Sequence, residues 1–460
     1  MSSETPNEDG EAPDARHPTP NAPDVRALAA TLGEGRATVA VMGLGYIGLP
    51  LVRALLDGGL TVLGVDIDPA KIELLSAGRD YLTHLGPGFA ASLMRTGRFT
   101  PTDDERCLAQ AHAVMLCVPT PLDAERQPDL SFVQSTARAV ARQLRPGGLV
   151  VLVSTTWPGT TRELLLPILE GEGARSLGRD LFVAYSPERE DPGRADVTTA
   201  SIPRLVGGLD DSSRELAVAL LSRAVREVVP VSSAEVAEAA KLLENIYRAV
   251  NVSMVNEMKT VLTALGLDVH EVIDAASTKP FGFQPFRPGP GMGGHCLPID
   301  PYYLAHRARR AGVTARFIEL AGEVDRAMPD WVVQRLAAAL ERRGCELAGA
   351  RVLVLGLAYK ADVDDVRESP AFVLIERLEA AGARVDVHDP LVPRTPAVRH
   401  AQIEPRDSLP LTAQTLEAVD AVLVATDHSS IDWELVLAHA RLIVDTRGVL
   451  RGRGDHVVQA

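Results

Sequence analysis

From about residue 36, short hydrophobic runs alternate along the chain with longer amphipathic segments. The first runs predict strands at Val39–Met42, Val62–Val65, Ala113–Cys117, Leu149–Val153 and Leu181–Ala184. Strands separated by helical segments favour a parallel sheet with helices on both faces. We therefore predict an α/β domain over residues 36–232.

A long helical pattern follows, AEVAEAAKLLENIYRAVNVSMVNEMKTVLTALG, with Gly266 as its stop signal. A helix of this length connects two domains or packs against a partner subunit. A second α/β pattern begins at RVLVLGLAYK and predicts strands near Val352–Leu355, Val385–His388, Ala421–Ala425 and Leu442–Val444. We therefore predict a central helical region over residues 233–344 and a second α/β domain over residues 345–460.

The first 35 residues are rich in proline and acid and poor in apolar side chains. Such a composition cannot bury enough surface to offset the entropy of ordering. We predict a disordered tail over residues 1–35.

The segment GLGYIG joins the first predicted strand to a helix and has the glycine spacing GxGxxG, at Gly43, Gly45 and Gly48. Glycines permit the tight turn and the close approach of a pyrophosphate to a helix N-terminus. The next strand ends at Asp66, where a carboxylate accepts ribose hydroxyls and repels a 2′-phosphate, which favours NAD over NADP. Lys71 either covers the adenosine side or is a solvated helix lysine. The alternative for the glycines is a tight turn without a ligand.

A glycine- and proline-rich loop, KPFGFQPFRPGPGMGGHCLPIDPYY, carries Cys296. Pro298 suits a first helical turn, so the thiol is expected beside a positive helix terminus that lowers its pKa. The alternative is a small buried hydrophobe. The loop favours a nucleophile, because its backbone can approach a ligand closely at Gly289, Gly291, Gly293 and Gly294.

Composition narrows the partners and the compartment. The 460-residue chain has a net charge of −14, which argues against nucleic acid. Its four cysteines are widely spaced and form no metal-binding or disulfide pattern. No apolar run has membrane-spanning length. We expect a cytoplasmic protein without a metal site.

Other polar residues stand where ligands bind in α/β proteins. Lys241 and Asn245 are four residues apart and share one face of the long helix. Lys360 and Arg367 follow a strand of the second domain, at the edge where open sheets bind ligands. Solvated surface charge is the alternative for this second pair.

These motifs resemble a known family, the UDP-sugar 6-dehydrogenases, over about residues 36–450. The matching blocks, in order, are GLGYIGLP, VPTP, STTWPGTT, SPERED, the KLLEN helix, PGMGGHCLPID, GLAYKADVDDVRESP and VDTRG. The resemblance implies two Rossmann-like, doubly wound α/β domains joined by a long central helix. It also implies NAD on the first domain, UDP on the second, and a homodimer or higher oligomer with contacts along the helix.

The resemblance implies catalytic roles for six residues. Cys296 resembles the nucleophile that captures an aldehyde as a thiohemiacetal and then becomes a thioester. Lys241 resembles the lysine that assists alcohol deprotonation and stabilises the oxyanion, with Asn245 as a hydrogen-bonding companion. The residues implied to order or activate water are Asp300, Thr155 and Glu188.

The resemblance also implies two binding sets. The cofactor set is Gly43, Gly45, Tyr46, Ile47, Gly48, Asp66, Lys71, Pro119, Thr120, Thr155 and Arg367. The substrate set is Glu188, Arg189, Lys241, Asn245, Arg287, Gly289, Gly291, Gly293, Lys360 and Arg447. No metal is implied.

The string KPFGF…PF…PGPG is similar to the branch that oxidises UDP-N-acetylglucosamine, although Arg287 stands where an aromatic residue is expected. UDP-N-acetylmannosamine and UDP-glucose are the alternative substrates. From another class, a non-catalytic nucleotide-sugar-binding protein is the remote alternative. Retention of Cys296, Lys241, Asn245 and Asp300 together argues against it, and NADH formation from UDP-sugars discriminates the two.

Overall fold

The computed structural model describes residues 24–123, 125–190 and 199–460. Eight strands form the first sheet: β1 Thr38–Met42, β2 Thr61–Val65, β3 Phe99–Thr102, β4 Ala113–Leu116, β5 Gly148–Leu152, β6 Leu181–Tyr185, β7 Arg204–Gly208 and β8 Val228–Pro230. The helices of this part are α1 Val25–Gly33, α2 Gly48–Asp57, α3 Pro69–Ser76, α4 Phe89–Met94, α5 Ser131–Gln143, α6 Leu166–Gly173 and α7 Asp211–Leu221. Short helical turns lie at Thr83–Leu85, Glu105–Gln110 and Thr161–Leu165.

The first sheet has the strand order β3-β2-β1-β4-β5-β6-β7-β8. Strands from β3 to β6 are parallel, and β7 runs antiparallel to β6. Every residue of β5 and β6 is buried, because helices cover both faces. The order reverses between β1 and β4, so loops that leave these two strands diverge and open a crevice for a ligand.

The central region is helical: α8 Ala234–Ala264, α9 Val269–Ser277, α10 Asp300–Arg310 and α11 Arg316–Glu341. Helix α8 packs on α10 and α11, and its N-terminal part also contacts β7. Ser233 caps α8 by accepting the Val236 N–H. Pro329 lies inside α11. The long helix therefore links the first sheet to the helices that lead into the second domain.

The second domain contains β9 Arg351–Leu355, β10 Arg384–His388, β11 Ala421–Val424, β12 Ile443–Asp445 and β13 Val457–Gln459, with α12 Pro370–Ala380, α13 Ala413–Glu417 and α14 Trp433–His439. Its sheet is parallel throughout, in the order β10-β9-β11-β12-β13. The order reverses between β9 and β11, which gives this domain its own crevice. The predicted α/β fold with two doubly wound domains and a long connecting helix is confirmed.

The prediction of a disordered tail is wrong for residues 24–35. Val25–Gly33 is a helix, capped by Asp24, whose side chain accepts the Arg26 and Ala27 N–H groups. Leu32 is fully buried, with Val25 and Leu28 packed against the same core. This apolar spacing is visible in the sequence, but the acidic and proline-rich composition of the preceding residues obscured it. Residues 1–23 of the predicted tail lie outside the described residues.

Within the described ranges, no helix has the length and apolar character needed to cross a membrane.

Candidate active site

The glycine loop after β1 forms a backbone cradle. A Cβ added to Gly43 would lie 2.4 Å from the Cys117 carbonyl oxygen, and one added to Gly48 would lie 1.8 Å from the Gly43 oxygen. Gly45, in contrast, faces open space. Helix α2 begins here without a side-chain cap, so its N-terminus is available to an anion. Gly43, Gly45, Ile47 and Gly48 therefore fit a dinucleotide pyrophosphate.

Asp66 lies beside this cradle at the end of β2. Its buried carboxylate accepts the Leu44 N–H at 2.8 Å and the Asp68 N–H at 3.0 Å. Lys71 forms an ion pair with the same carboxylate at 3.1 Å. The predicted ribose-binding acid thus stands next to the glycine turn, and Lys71 is paired with its carboxylate.

The loops after β4 and β5 border the crevice between the diverging strands. Pro119 is exposed and Thr120 is buried in the first loop. Thr155 is half-buried in the second, where the neighbouring Ser154 hydroxyl donates to the Val118 carbonyl at 2.6 Å. This bond holds the two loops together, so Thr120 and Thr155 lie at one edge of the sheet.

Arg367 reaches from the second domain to the glycine loop of the first. Its guanidinium lies 4.1 Å from the centroid of the Tyr46 ring and pairs with Asp365 at 2.6 Å. The Arg367 carbonyl accepts the N–H of Gly294, two residues before Cys296, at 3.0 Å. Arg367 therefore contacts both the proposed cofactor cradle and the cysteine loop.

Four predicted catalytic residues converge where α8 meets α10. Asn245 donates from Nδ2 to Asp300 Oδ2 at 2.5 Å, and both side chains are buried. The Cys296 carbonyl accepts the Asp300 N–H at 2.8 Å, which places the thiol one helical turn before the carboxylate. The buried Lys241 ammonium is near enough to lower the pKa values of both Cys296 and Asp300.

Two sequence expectations about the cysteine are wrong. The helix begins at Asp300 with Pro301 in its first turn, so Pro298 belongs to the preceding turn. Burial, reinforced by Asp300, raises the pKa of the Cys296 thiol to about 11, although Lys241 and Arg367 oppose the shift. Desolvation of a thiolate outweighs the helix terminus here. The resting residue is therefore a thiol.

Burial also raises the pKa of Asp300 to about 6, although Lys241 and the Asn245 hydrogen bond both lower it. A carboxylate with this pKa is ionised at neutral pH and still basic enough to accept a proton. The arrangement can therefore move protons between a thiol, an ammonium and a carboxylate in a shielded site.

Glu188 is fixed by a buried ion pair after β6. Its Oε2 accepts from Arg204 Nη1 at 2.7 Å, and its Oε1 accepts the Arg189 and Glu190 N–H groups. The Arg189 guanidinium is engaged by Glu244 of α8 at 2.6 Å. Sequence reasoning missed Arg204, because a lone arginine at the start of a strand carries no local signal.

The second domain packs closely on the glycine-rich cysteine loop. A Cβ on Gly293 would lie 2.7 Å from the Tyr359 Cβ, while Gly291 has a φ of 137°, a conformation that favours glycine. Lys360 follows Tyr359 in the same strand-end loop. A Cβ on Gly289 would lie 2.7 Å from Arg447 Nη1. The predicted substrate residues Gly289, Gly291, Gly293 and Arg447 therefore line the junction between the loop and the second domain. Lys360 lies beside it, with its ammonium 5.7 Å from the centroid of the Tyr359 ring.

The Arg287 side chain is exposed, unlike the glycines that pack against the second domain. It pairs with Asp274 of α9 at 2.5 Å, and Arg451 pairs with the same carboxylate at 2.7 Å. All three side chains are exposed at the surface. Arg287 thus stands at the outer side of the loop, linked to the second domain through Asp274.

Glu238 is a further buried acid that sequence reasoning missed. It lies on α8 three residues before Lys241 and accepts the Gly159 N–H at 2.6 Å, the Thr161 N–H at 2.9 Å and the Thr161 hydroxyl at 2.7 Å. Burial raises its pKa to about 7. Glu238 therefore attaches the loop that contains Thr155 to α8. An acid inside the apolar face of the helix was its sequence signal.

Three family models match the chain along most of its length. They are the NAD binding domain, the central domain and the UDP binding domain of the UDP-glucose/GDP-mannose dehydrogenase family, at residues 37–225, 235–327 and 353–452. The chain belongs to this family. The predicted family and the NAD cofactor are confirmed.

Individual relatives and a solved structure agree with this assignment. UDP-N-acetyl-D-glucosamine 6-dehydrogenase of Pseudomonas aeruginosa is 34% identical over 85% of this chain and 90% of its own. UDP-N-acetyl-D-mannosamine dehydrogenase of Pyrococcus horikoshii is also 34% identical, over 91% of this chain and 99% of its own. A structure of the UDP-D-ManNAc dehydrogenase from Pyrococcus horikoshii superposes with a TM-score of 0.83, covering 92% of this chain and 98% of that one, at 31% identity.

Proposed function

We propose that this protein oxidises the C6 alcohol of UDP-N-acetylglucosamine to a carboxylate in two NAD-dependent steps. The observation that carries the proposal is the convergence of Cys296 with Asp300, Asn245 and Lys241 beside the dinucleotide cradle. NAD held in the cradle would supply the hydride acceptor, with a fresh NAD for each of the two oxidations. The protein must then activate the alcohol, retain the aldehyde and supply water.

Lys241 stabilises the negative oxygen that develops on the alcohol in the first oxidation and on the tetrahedral adduct in the second. Its ammonium is buried in the reactive centre, where a fixed charge is more effective than in water. Asn245 holds the Asp300 carboxylate in a set orientation. This arrangement keeps charge and geometry ready before the reaction.

Cys296 retains the aldehyde between the oxidations. The sulfur forms a bond to the aldehyde carbon and the thiol proton passes to the carbonyl oxygen, giving a thiohemiacetal. Since burial keeps the resting thiol protonated, we propose that deprotonation accompanies the attack. Loss of a second hydride and a proton then gives a thioester.

Asp300 removes a proton from the water that attacks the thioester. The C–S bond breaks, the thiol is restored and the product is released as a carboxylate. The raised pKa of Asp300, about 6, suits a base at neutral pH. We propose that Thr155 and Glu188 position this water, and Arg204 holds Glu188 in place through their ion pair.

UDP-N-acetylglucosamine is preferred because the KPFGFQPFRPGPG loop resembles that branch of the family. A pocket that pairs with an acetamido group leaves its own polar groups unpaired when glucose binds. The test is NADH formation from UDP-N-acetylglucosamine, UDP-N-acetylmannosamine and UDP-glucose with the purified enzyme. We expect the highest kcat/KM with the first sugar and two NADH per sugar.

Higher efficiency with UDP-glucose would refute the substrate choice, and one NADH with free aldehyde would refute the two-step reaction. Failure of every UDP-sugar to form NADH would favour the non-catalytic binding protein instead. Arg287→Tyr restores the aromatic residue expected in this branch. Because Asp274 holds Arg287 at the surface, we expect this variant to keep the preference.

We propose a homodimer that uses the exposed face of α8. Leu243 (65% exposed) and Leu265 (68%) stand at the ends of an apolar stripe that follows helical periodicity through Tyr247, Met254, Met258 and Val261. An apolar stripe of this length indicates a contact surface. Light scattering should give a dimer for the native chain and a monomer for Leu243→Asp; a native monomer at micromolar concentration would refute the proposal.

We propose the cytoplasm as the working compartment. All four cysteines are free, and the mechanism needs a reduced Cys296. Measuring NADH formation under oxidising and reducing conditions tests this requirement.

A further inference from the structure

Two side chains of α8 hold one residue of the cysteine loop, Gly289, through its N–H and its carbonyl. Asn256 Oδ1 accepts the Gly289 N–H at 2.9 Å, and Lys259 Nζ donates to the Gly289 carbonyl at 2.9 Å. Asn256 is fully buried and Lys259 is 3% exposed. Burying a lysine ammonium is costly, so a lysine without a specific role is expected at the surface and not in this position.

A second cation lies where a side chain at Gly289 would project. Arg447 donates from Nε to the Ala425 carbonyl at 2.8 Å, and its Nη1 occupies the space that a side chain at Gly289 would need. The Lys259 ammonium also lies 4.9 Å from the centroid of the Trp331 ring. Gly289 therefore lies between an ammonium and a guanidinium, and the Trp331 ring packs on the ammonium.

These two buried cations have carboxylates near them but none in direct contact: Asp427 and Asp445 favour the charged form of Arg447, and Asp445 favours that of Lys259. In the described residues, neither Lys259 nor Arg447 forms an ion pair with a carboxylate, and the Asp445 carboxylate accepts only backbone and amide N–H groups. The Asn256 Nδ2 is also buried without an acceptor. An excess of donors and positive charge is the complement of an anionic ligand.

We propose that Lys259 is a positioning residue of the substrate site, which fixes the Gly289 peptide and its distance from Arg447 so that an anionic nucleotide sugar binds most tightly when Lys259 is protonated. The inference rests on the proposed function, because it takes the UDP-sugar as the anion. Lys259 acts through Gly289 and Arg447, and it lies outside the predicted catalytic and binding sets.

The charges around Lys259 explain why its protonation responds to a ligand. Burial and the facing Arg447 lower the pKa of Lys259 to about 7, while Asp445 opposes this shift. Asn256 and Trp331, the other polar and aromatic contacts, do not titrate near neutral pH. An anion close to Arg447 offsets the repulsion and raises the pKa of Lys259. Substrate binding is then accompanied by proton uptake near pH 7.

The experiment measures UDP-N-acetylglucosamine binding without NAD, so that no turnover occurs. Calorimetry at pH 7.5 in two buffers of different ionisation enthalpy gives the number of protons taken up. We expect clear uptake by the native protein and loss of most of it in Lys259→Met. Lys279→Met removes an exposed lysine of the same loop and is the matched control.

The affinity itself provides a second measurement. A rise of about one unit in the pKa of Lys259 on binding means roughly tenfold tighter binding to the protonated form. The native dissociation constant should therefore increase as pH rises from 6.5 to 8.5. Lys259→Arg, which stays charged throughout, should lack this increase, and thermal unfolding checks that each variant is folded.

The outcomes separate this inference from the proposed function. Tight binding without proton uptake, or uptake that persists in Lys259→Met, would overturn the role of Lys259 and leave the dehydrogenase proposal intact. Persistent uptake would point to Asp300, whose pKa also lies near this range. If UDP-glucose, UDP-N-acetylmannosamine and UDP-N-acetylglucosamine all fail to bind and to form NADH, both proposals are refuted.

Discussion

Removing the amide of Asn245 should move the acidic limb of the pH–rate profile upward. Asn245 donates to the Asp300 carboxylate at 2.5 Å in a buried setting, and this bond lowers the pKa of an acid that burial has raised to about 6. A hydrogen bond to a charged group contributes about 1.5–3 kcal/mol. At about 1.4 kcal/mol per pKa unit, its loss shifts the pKa of Asp300 by roughly one to two units.

The direction in which the acidic limb moves follows from the role of Asp300 as a base. The proposed base acts only when ionised, so turnover falls as pH decreases through its pKa. In Asn245→Ala the half-maximal point should move from about pH 6 to roughly pH 7–8, and activity lost at neutral pH should partly return at pH 9.

The assay is kcat from NADH formation at saturating substrate between pH 5 and pH 9. Asn251→Ala is a matched control, since Asn251 lies on the same helix and donates to the Tyr247 carbonyl away from the site. Its profile should overlay that of the native enzyme. An unmoved or lowered acidic limb in Asn245→Ala would refute the assignment of this limb to Asp300.

Four further changes have defined outcomes. Cys296→Ser should abolish acid formation while Cys345→Ser retains it, because serine is a poorer nucleophile. The rate of acid production and the number of NADH formed per sugar decide, and native values in Cys296→Ser would refute covalent capture. Asp66→Ala should reduce the preference for NAD over NADP, measured as the ratio of the two kcat/KM values. Equal kcat/KM values for the two cofactors in the native enzyme would refute the role of Asp66. Lys241→Ala should lower kcat more than it weakens substrate binding, whereas a loss confined to binding would make Lys241 an anchor. Leu32→Ala should lower the free energy of unfolding by about 2–5 kcal/mol in denaturant titrations, and no change would mean that helix α1 contributes nothing to the core.

Local sequence patterns determined the strands and the long helix closely. The predicted run Leu181–Ala184 is the strand Leu181–Tyr185, and the segment from Ser233 to about Leu265 is the helix Ala234–Ala264. Apolar periodicity reports on burial over a few residues, which is the distance on which strands and helices are specified. The glycine turn and Asp66 were found for the same reason, since a βα unit places them at a fixed separation.

Only the tertiary structure decided the charges in the site. Cys296 and Asp300 have raised pKa values because several elements together remove water from them. The partners of Asp300 and Gly289, namely Asn245 and Lys259, lie on α8, at least 30 residues away in the chain. Desolvation and long-range contacts depend on how α8, α10 and the second sheet pack, and no local pattern encodes that packing. The sequence therefore identified the candidate reactive groups, and the fold set their protonation and their partners.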